Sequence, residues 1–189
     1  MRKGPNAAAA ILVAALAAIP AAGPAFTLGG AITGGSGSGA FVKLDPSRPF
    51  AVGQDTFETD HLYAFDEDQN ILLEADLVVD IGAEGRIIPK GTTVASHYVF
   101  FDPAYGTTQR GYVAFDATVL GIATSQSTLA ASDFLANTAV TYLNPALRGL
   151  EWEDHVWIDR ENPFRIQVNW AASTPGDYIR IFTARSPGV

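Results

Sequence analysis

The stretch ILLEADLVVDI, residues 71–81, alternates apolar and acidic side chains with a period of two. The apolar face carries Ile71, Leu73, Ala75, Leu77, Val79 and Ile81, and the other face carries Glu74, Asp76 and Asp80. A second stretch, FRIQVNW at residues 164–170, alternates in the same way. A period of two is typical of β-strands with one buried face, so both stretches predict strands.

Similar short runs recur along the rest of the chain, at residues 61–66, 93–102, 111–123, 138–143, 155–159 and 178–184. Turn-forming segments rich in proline and glycine separate them at intervals of about ten residues. This spacing predicts an all-β fold, an antiparallel β-sandwich of the jelly-roll or immunoglobulin-like type. At most one short helix is expected, within residues 127–137, where Ser132 and Asp133 suit a cap or turn.

Residues 1–25 have the features of a secretory signal peptide. A basic start is followed by an apolar, alanine-rich run over residues 7–22, and small residues precede Phe26. The apolar run of about sixteen residues is shorter than the roughly 20 that a membrane-spanning helix needs. The sequence therefore predicts cleavage before Phe26, export to the periplasm or the cell exterior, and no membrane insertion after cleavage.

The segment after the predicted cleavage site, residues 26–40, is rich in glycine and serine and carries no charge. Such a composition is typical of flexible segments, so we expect a flexible lead here. The remaining residues, 41–189, are enough for a single β-sandwich domain with a hydrophobic core.

Composition excludes several classes of function. The chain has 12 Lys and Arg against 20 Asp and Glu, a formal net charge of −8. A surface of that sign repels phosphate groups, so nucleic acid and anionic lipid are not expected as partners. The absence of cysteine rules out disulfides, thiol catalysis and thiolate metal sites.

An acidic turn raises the possibility of a calcium site. It matches the opening D-x-D-x-N of a calcium loop with the oxygen donors Asp66, Asp68 and Asn70. The glycine and glutamate of an EF-hand do not follow, because Ile71 and Leu77 occupy their positions. A calcium site of another kind stays open, with Glu67 or Asp102 completing the ligand shell, and no other cofactor is predicted.

Two stretches share a histidine-to-aspartate pattern: HLYAFD at residues 61–66 and HYVFFD at residues 97–102. The favoured interpretation is a strand that buries its aromatic side chains and ends in an aspartate that starts a turn. The alternative is a metal site formed by His61 and His97, which would require the two imidazoles to converge.

A second acidic cluster surrounds two tryptophans, and its candidate ligand-binding residues are Glu151, Trp152, Glu153 and Trp157. Aromatic faces bind the apolar faces of sugars, so this cluster predicts glycan binding. A carboxylate pair at residues 151–154 beside tryptophan also suits a glycoside hydrolase, which is the alternative. Strand alternation places Trp157 on the outward face and Val156 on the inward face.

Basic residues are too sparse for a phosphate site. Arg180 and Arg185 lie in or near the last predicted strand. We expect these arginines to pair with surface carboxylates or to cover a sandwich edge.

Several short motifs resemble a domain of exported bacterial proteins, many of which carry a C-terminal sorting tail of the PEP-CTERM type. The motifs, in order, are VASHYVFFDP at 94–103, GYVAFD at 111–116, VLG at 119–121, LAASD at 129–133, RGLE at 148–151 and TPGDYIRI at 174–181. The resemblance covers roughly residues 55 to 185. It implies a secreted β-sandwich of uncharacterised function and supplies no catalytic residues. Residues 183–189, TARSPGV, contain no apolar sorting helix, so release is expected rather than retention by a tail.

Together these observations predict a secreted, non-catalytic binding protein or a component of the extracellular matrix or cell surface. Its expected partner is a polysaccharide or another surface protein. A glycoside hydrolase and a self-associating structural protein are the alternatives. The oligomeric state is left open.

Overall fold

The computed structural model of the protein describes residues 26–185. The predicted signal peptide, residues 1–25, lies outside the described residues, as do residues 186–189. In chain order the strands are β1 Thr27–Gly35, β2 Phe41–Lys43, β3 Ala51–Val52, β4 Leu62–Asp66, β5 Ile71–Leu72, β6 Leu77–Val78, β7 Ile81–Gly82, β8 Ile87–Ile88, β9 Thr93–Phe101, β10 Thr107–Phe115, β11 Val119–Ala123, β12 Thr141–Tyr142, β13 His155–Ile158, β14 Arg165–Ala172 and β15 Asp177–Ala184.

One α-helix, α1 at Gln126–Ala131, occurs in the described chain, with short 3-10 segments at Glu84–Arg86, Asp133–Leu135 and Pro145–Leu147. Helix α1 begins at a capping box, in which the Ser125 side chain accepts from the Thr128 N–H and the Thr128 side chain bonds back to the Ser125 N–H. Such a cap stabilises a short helix in this segment. No helix within residues 26–185 is long and apolar enough to cross a bilayer.

Two main sheets form the body of the protein. The smaller sheet is antiparallel and has the strand order β1-β10-β14-β13. The larger sheet has the order β2-β4-β9-β15-β11-β7, with β5 paired to β9. Most of its pairs are antiparallel, but β2 and β4 are parallel, and a separate two-stranded pair, β3 with β12, is also parallel. The prediction of an all-β sandwich with one short helix is confirmed, although the parallel pairs were not foreseen.

The larger sheet is covered on both faces. Its inner face packs against the smaller sheet in a cluster that includes Val99, Ile166 and Trp170. Its other face packs against the loops, α1 and the short strands in a second cluster that includes Phe65, Tyr98 and Leu129. Strands β9 and β15 are therefore buried on nearly every residue. Sheets covered on both faces produce continuous apolar runs rather than alternation.

The stretch of residues 71–81 does not form one long strand. It is divided among β5, β6 and β7, which pair with three different partners, β9, β8 and β11. Leu73, Leu77 and Val79 are buried as the alternation predicts, but Ala75 is exposed. The pattern thus identified three buried side chains, with Ile71 and Ile81 partly buried, whereas the separate pairing partners interrupt the strand.

The flexible lead predicted for residues 26–40 is wrong for most of its length. Residues 27–35 form β1, an edge strand that pairs with β10. Close packing, rather than mobility, requires glycine at position 30 of this strand. A Cβ at Gly30 would lie 2.5 Å from the Tyr112 carbonyl oxygen and 2.5 Å from Cδ2 of Phe41.

Gly30→Ala is accordingly expected to destabilise the fold by about 1–3 kcal/mol, because the added methyl group must displace backbone. Gly29→Ala is the matched control, since a Cβ there meets nothing within 4 Å. Urea unfolding of the two variants measures the difference. Equal stabilities would contradict the pairing of β1, because a flexible lead tolerates both substitutions alike.

Candidate functional site

The solvent-facing side of the smaller sheet is the candidate site. Alternation along β10, β13 and β14 sends every second side chain to this face. We call it the sheet platform and define it by Arg110, Tyr112, His155, Trp157, Gln167 and Asn169.

Register aligns the platform side chains in two rows across the strands. One row contains Tyr112, Gln167 and Trp157, and the parallel row contains Arg110, Asn169 and His155, as the cross-strand pairs require. Strand β1 borders the platform with Ala31 opposite Tyr112 and Gly34 opposite Arg110. Thr33 of the same strand lines the groove described next.

A groove of about 330 Å³ lies on this face and includes Arg110, Trp157, Gln167 and Asn169 in its lining. The Trp157 side chain is 45% exposed, although it lies within a paired strand. An exposed tryptophan on a regular strand has no core to pack against, so its apolar surface is available to a ligand.

Hydrogen bonds hold the polar side chains of the platform in place. Arg110 Nε donates to Asn169 Oδ1 at 3.3 Å. Asp159 Oδ2, at the end of β13, accepts from Gln167 Nε2 at 2.8 Å and from Arg165 NH2 at 2.6 Å. These bonds from Gln167 and Arg165, together with one from the backbone N–H of Glu161, lower the pKa of Asp159 to about 2. Asp159 is therefore ionised at neutral pH and engaged within the protein.

The two aromatic rings of the platform differ in access. The guanidinium of Arg165 lies over the Tyr112 ring, 5.1 Å from its centroid. That contact covers one face of Tyr112, so Trp157 is the ring left open for stacking. An open indole beside fixed amide and guanidinium groups can bind a sugar through its apolar face and its hydroxyls.

Three of the predicted ligand-binding residues lie away from this groove. Trp152 is in the loop before β13 and is 86% exposed, and Glu153 next to it is also exposed. Glu151 lies beside Asp154 and Asp177 at the other end of the sheet. The predicted group Glu151, Trp152, Glu153 and Trp157 is thus not one site, although the outward orientation predicted for Trp157 is correct.

A buried carboxyl pair sits next to Glu151. Asp154 accepts from the backbone N–H groups of Glu151 and Ala171, both at 2.9 Å. Burial is the largest cause that raises the pKa of Asp177 to about 9, and the nearby carboxylates of Asp154 and Glu151 raise it further. Asp177 is therefore protonated at neutral pH and can donate to Asp154. The adjoining crevice holds only about 10 Å³, which is too small for a sugar.

The residues predicted to bind calcium are mostly engaged by protein groups. Asp66 Oδ2 lies 2.7 Å from Lys43 Nζ, and Asp66 Oδ1 accepts from the Thr27 N–H at 2.8 Å. Burial raises the pKa of Asp68, with a further contribution from Glu67. Asn70 adopts a left-handed backbone conformation in the turn, with φ of 58°.

The two residues predicted to complete the calcium shell also have protein partners. Glu67 is paired with Arg180, and Asp102 Oδ2 accepts from the Thr56 and Phe57 N–H groups. Within residues 26–185, no group of three or more histidine and carboxylate side chains is placed to hold a metal ion. Calcium binding stays a prediction without a preformed set of ligands in the described chain.

The two histidine-to-aspartate stretches form adjacent antiparallel strands, β4 and β9, which places Asp66 opposite His97. His97 Nδ1 lies 2.8 Å from Asp66 Oδ1, and His97 Nε2 lies 3.0 Å from Thr183 Oγ1. Hydroxyl, imidazole and carboxylate occur here in the order of a nucleophilic triad, but Thr183 is fully buried and out of reach of a substrate. His61 instead accepts from the Ala40 N–H, so the two histidines do not converge.

Arg180 was expected at the surface, and this prediction is wrong. Its side chain is fully buried and forms a bidentate pair with Glu67, with Nε to Oε2 at 2.6 Å and NH2 to Oε1 at 2.9 Å. Its NH1 group donates to Ser132 Oγ at 2.9 Å and to Asp133 Oδ1 at 3.1 Å. Because β15 is covered on both faces, a side chain on either face of this strand is enclosed.

Sequence reasoning missed Arg110, Gln167 and Asn169 as members of a site. The available signal was the alternation FRIQVNW, which places Gln167 and Asn169 outward. The alternation does not indicate which strand lies beside β14. Its neighbour β10 is more than fifty residues away in the sequence, so Arg110 was not predicted to be near Gln167 and Asn169.

Comparison with known proteins gives no match among family models, curated proteins or solved structures. The functional argument therefore rests on the geometry of the sheet platform.

Proposed function

We propose that this protein is an exported, non-catalytic binding protein of the cell exterior or periplasm that binds polysaccharide on the sheet platform. The observation that carries the proposal is the exposed Trp157 in a groove lined by Arg110, Gln167 and Asn169. Export is supported by the signal-like residues 1–25 and by the resemblance to exported bacterial domains.

The arrangement favours binding over hydrolysis. Hydrolysis of a glycosidic bond needs an acid and a second carboxylate on either side of the bond. Asp159, which borders the platform through its bond to Gln167, is held by Arg165 and Gln167. The carboxyl pair of Asp154 and Asp177 borders a crevice without room for a sugar. A noncatalytic role needs only the aromatic face and the fixed polar groups.

Trp157→Ala is expected to weaken polysaccharide binding by about tenfold or more, because stacking and apolar burial on the indole are lost. Affinity electrophoresis through gels that contain soluble polysaccharides measures the retardation of the full mature protein. Insoluble polymers are tested by co-sedimentation.

The matched control is Trp152→Ala, which removes a tryptophan that is more exposed but lies outside the groove. Its retardation should equal that of the wild-type protein. If Trp152→Ala abolishes binding and Trp157→Ala does not, the platform is not the site. If the wild-type protein retains no polymer of a broad panel, the proposal is overturned.

A further inference from the structure

We propose that the sheet platform selects acidic polysaccharides, with Arg110 binding the carboxylate of a uronic acid while Trp157 stacks on a neighbouring sugar. This inference rests on the proposed function and names the class of polymer that the same site takes.

The first observation concerns the exposure of the Arg110 side chain and its bonding partners. Its side chain is exposed, and its Nε is fixed by Asn169. In the described part of the chain no carboxylate lies within ion-pair distance of its guanidinium, whereas Arg165 on the same face is paired with Asp159. A fixed guanidinium with free N–H groups is suited to bidentate binding of a carboxylate.

The second observation is the position of Arg110 relative to Trp157. Both side chains line the same groove. They lie on β10 and β13, which are separated by β14, and the bond from Arg110 Nε to Asn169 directs the guanidinium towards β14. Successive residues of an acidic polymer offer a carboxylate and an apolar ring face, so an oligomer can occupy both groups at once. The platform is thus expected to bind an oligomer and to bind single sugars weakly.

The third observation is the local sign of charge. The chain as a whole carries −8, which repels a polyanion. Among the six platform side chains, Arg110 is the one arginine and no lysine, aspartate or glutamate is present, while Arg165 beside the platform is paired with Asp159. Arg110 therefore leaves a local positive charge in the groove. At physiological ionic strength the Debye length is about 8 Å, so the distant acidic surface is screened while direct contact with Arg110 is not.

The test compares polygalacturonate with its fully methyl-esterified form, which has the same backbone without the carboxylate charges. Affinity electrophoresis of the mature protein at physiological ionic strength is expected to show tighter binding of polygalacturonate by about tenfold, the increment of a charge-assisted hydrogen-bonded pair. Arg110→Gln should remove that increment, so that this variant binds the two polymers with equal affinity. Trp157→Ala should weaken the binding of both polymers.

The control is Arg86→Gln, which removes an exposed cation that does not line the groove, in the 3-10 segment between β7 and β8. An equal loss in Arg86→Gln and Arg110→Gln would show nonspecific attraction and overturn the inference. Equal binding of the two polymers by the wild-type protein would also overturn it, while the proposed function would stand. Binding of neither these two polymers nor any other in the panel would overturn both.

Discussion

Arg180→Met is expected to lower the free energy of unfolding by about 3–5 kcal/mol, the cost of leaving a buried charge without its partner. The variant removes the guanidinium and leaves the Glu67 carboxylate enclosed, because both side chains are fully buried. Ser96 and Tyr142 still donate to Glu67, each at 2.6 Å, but neither supplies a positive charge. A domain of this size has about 5–15 kcal/mol of stability in total, so the loss is a large fraction.

Equilibrium urea unfolding, followed by tryptophan fluorescence, measures this change. Arg165→Met is the matched control, since Arg165 pairs with Asp159 near the surface and its side chain is 30% exposed. An exposed pair contributes far less to stability than a buried one, because water screens its charges. The double variant Glu67→Gln with Arg180→Met removes both charges and should recover part of the loss. Similar losses in Arg180→Met and Arg165→Met would contradict the burial of this ion pair.

Asp177→Asn is expected to stabilise the protein at alkaline pH. Burial and the neighbouring Asp154 and Glu151 raise the pKa of Asp177 to about 9, whereas the unfolded chain has the ordinary value of 3.8. Between these two values the folded protein retains a proton that the unfolded chain releases. The contribution of Asp177 to stability is therefore fully present below about pH 4 and is lost as pH rises towards 9, by at most about 1.4 kcal/mol per pH unit.

The asparagine variant keeps a donor towards Asp154 and has no proton to lose. We expect it to be more stable than the wild-type protein by about 2–4 kcal/mol at pH 8 and similar to it near pH 4. Thermal unfolding at intervals between pH 4 and pH 9 measures the difference between the two proteins. Glu153→Gln, a change at an exposed carboxylate, should follow the wild-type curve. Parallel curves for Asp177→Asn and the wild-type protein would rule out a protonated Asp177.

The periodicity of short segments predicted several strands and the direction of their side chains correctly. Alternation in residues 164–170 identified β14 and its outward side chains, and the same reasoning placed Trp157 at the surface. The fold class followed from the number and spacing of such segments. Adjacent residues of a strand face opposite ways, and Ser96 and His97 of β9 accordingly have different partners, Glu67 and Asp66.

Local periodicity cannot predict contacts between segments that are distant in the sequence. Glu67 and Arg180 are 113 positions apart, and nothing in either local sequence indicates the other. The larger sheet is covered on both faces, so Arg180 is buried although its position in an antiparallel strand predicted access to solvent. Glycine-rich β1 was misread because its composition suits both a flexible linker and a strand that packs backbone against its neighbour.

The position of β15 has a consequence for the time at which this protein can fold. Residues 177–184 are translated after every other described strand, yet they lie between β9 and β11 in the middle of the larger sheet. A growing chain that has reached residue 170 holds Glu67 without Arg180 and lacks the strand that joins the two halves of this sheet. The larger sheet therefore cannot be completed until residues 177–184 have been synthesised, as expected for a topology dominated by distant pairings. For a protein that we propose is exported, that delay leaves the sheet incomplete while the preceding residues can still be threaded through a translocation channel.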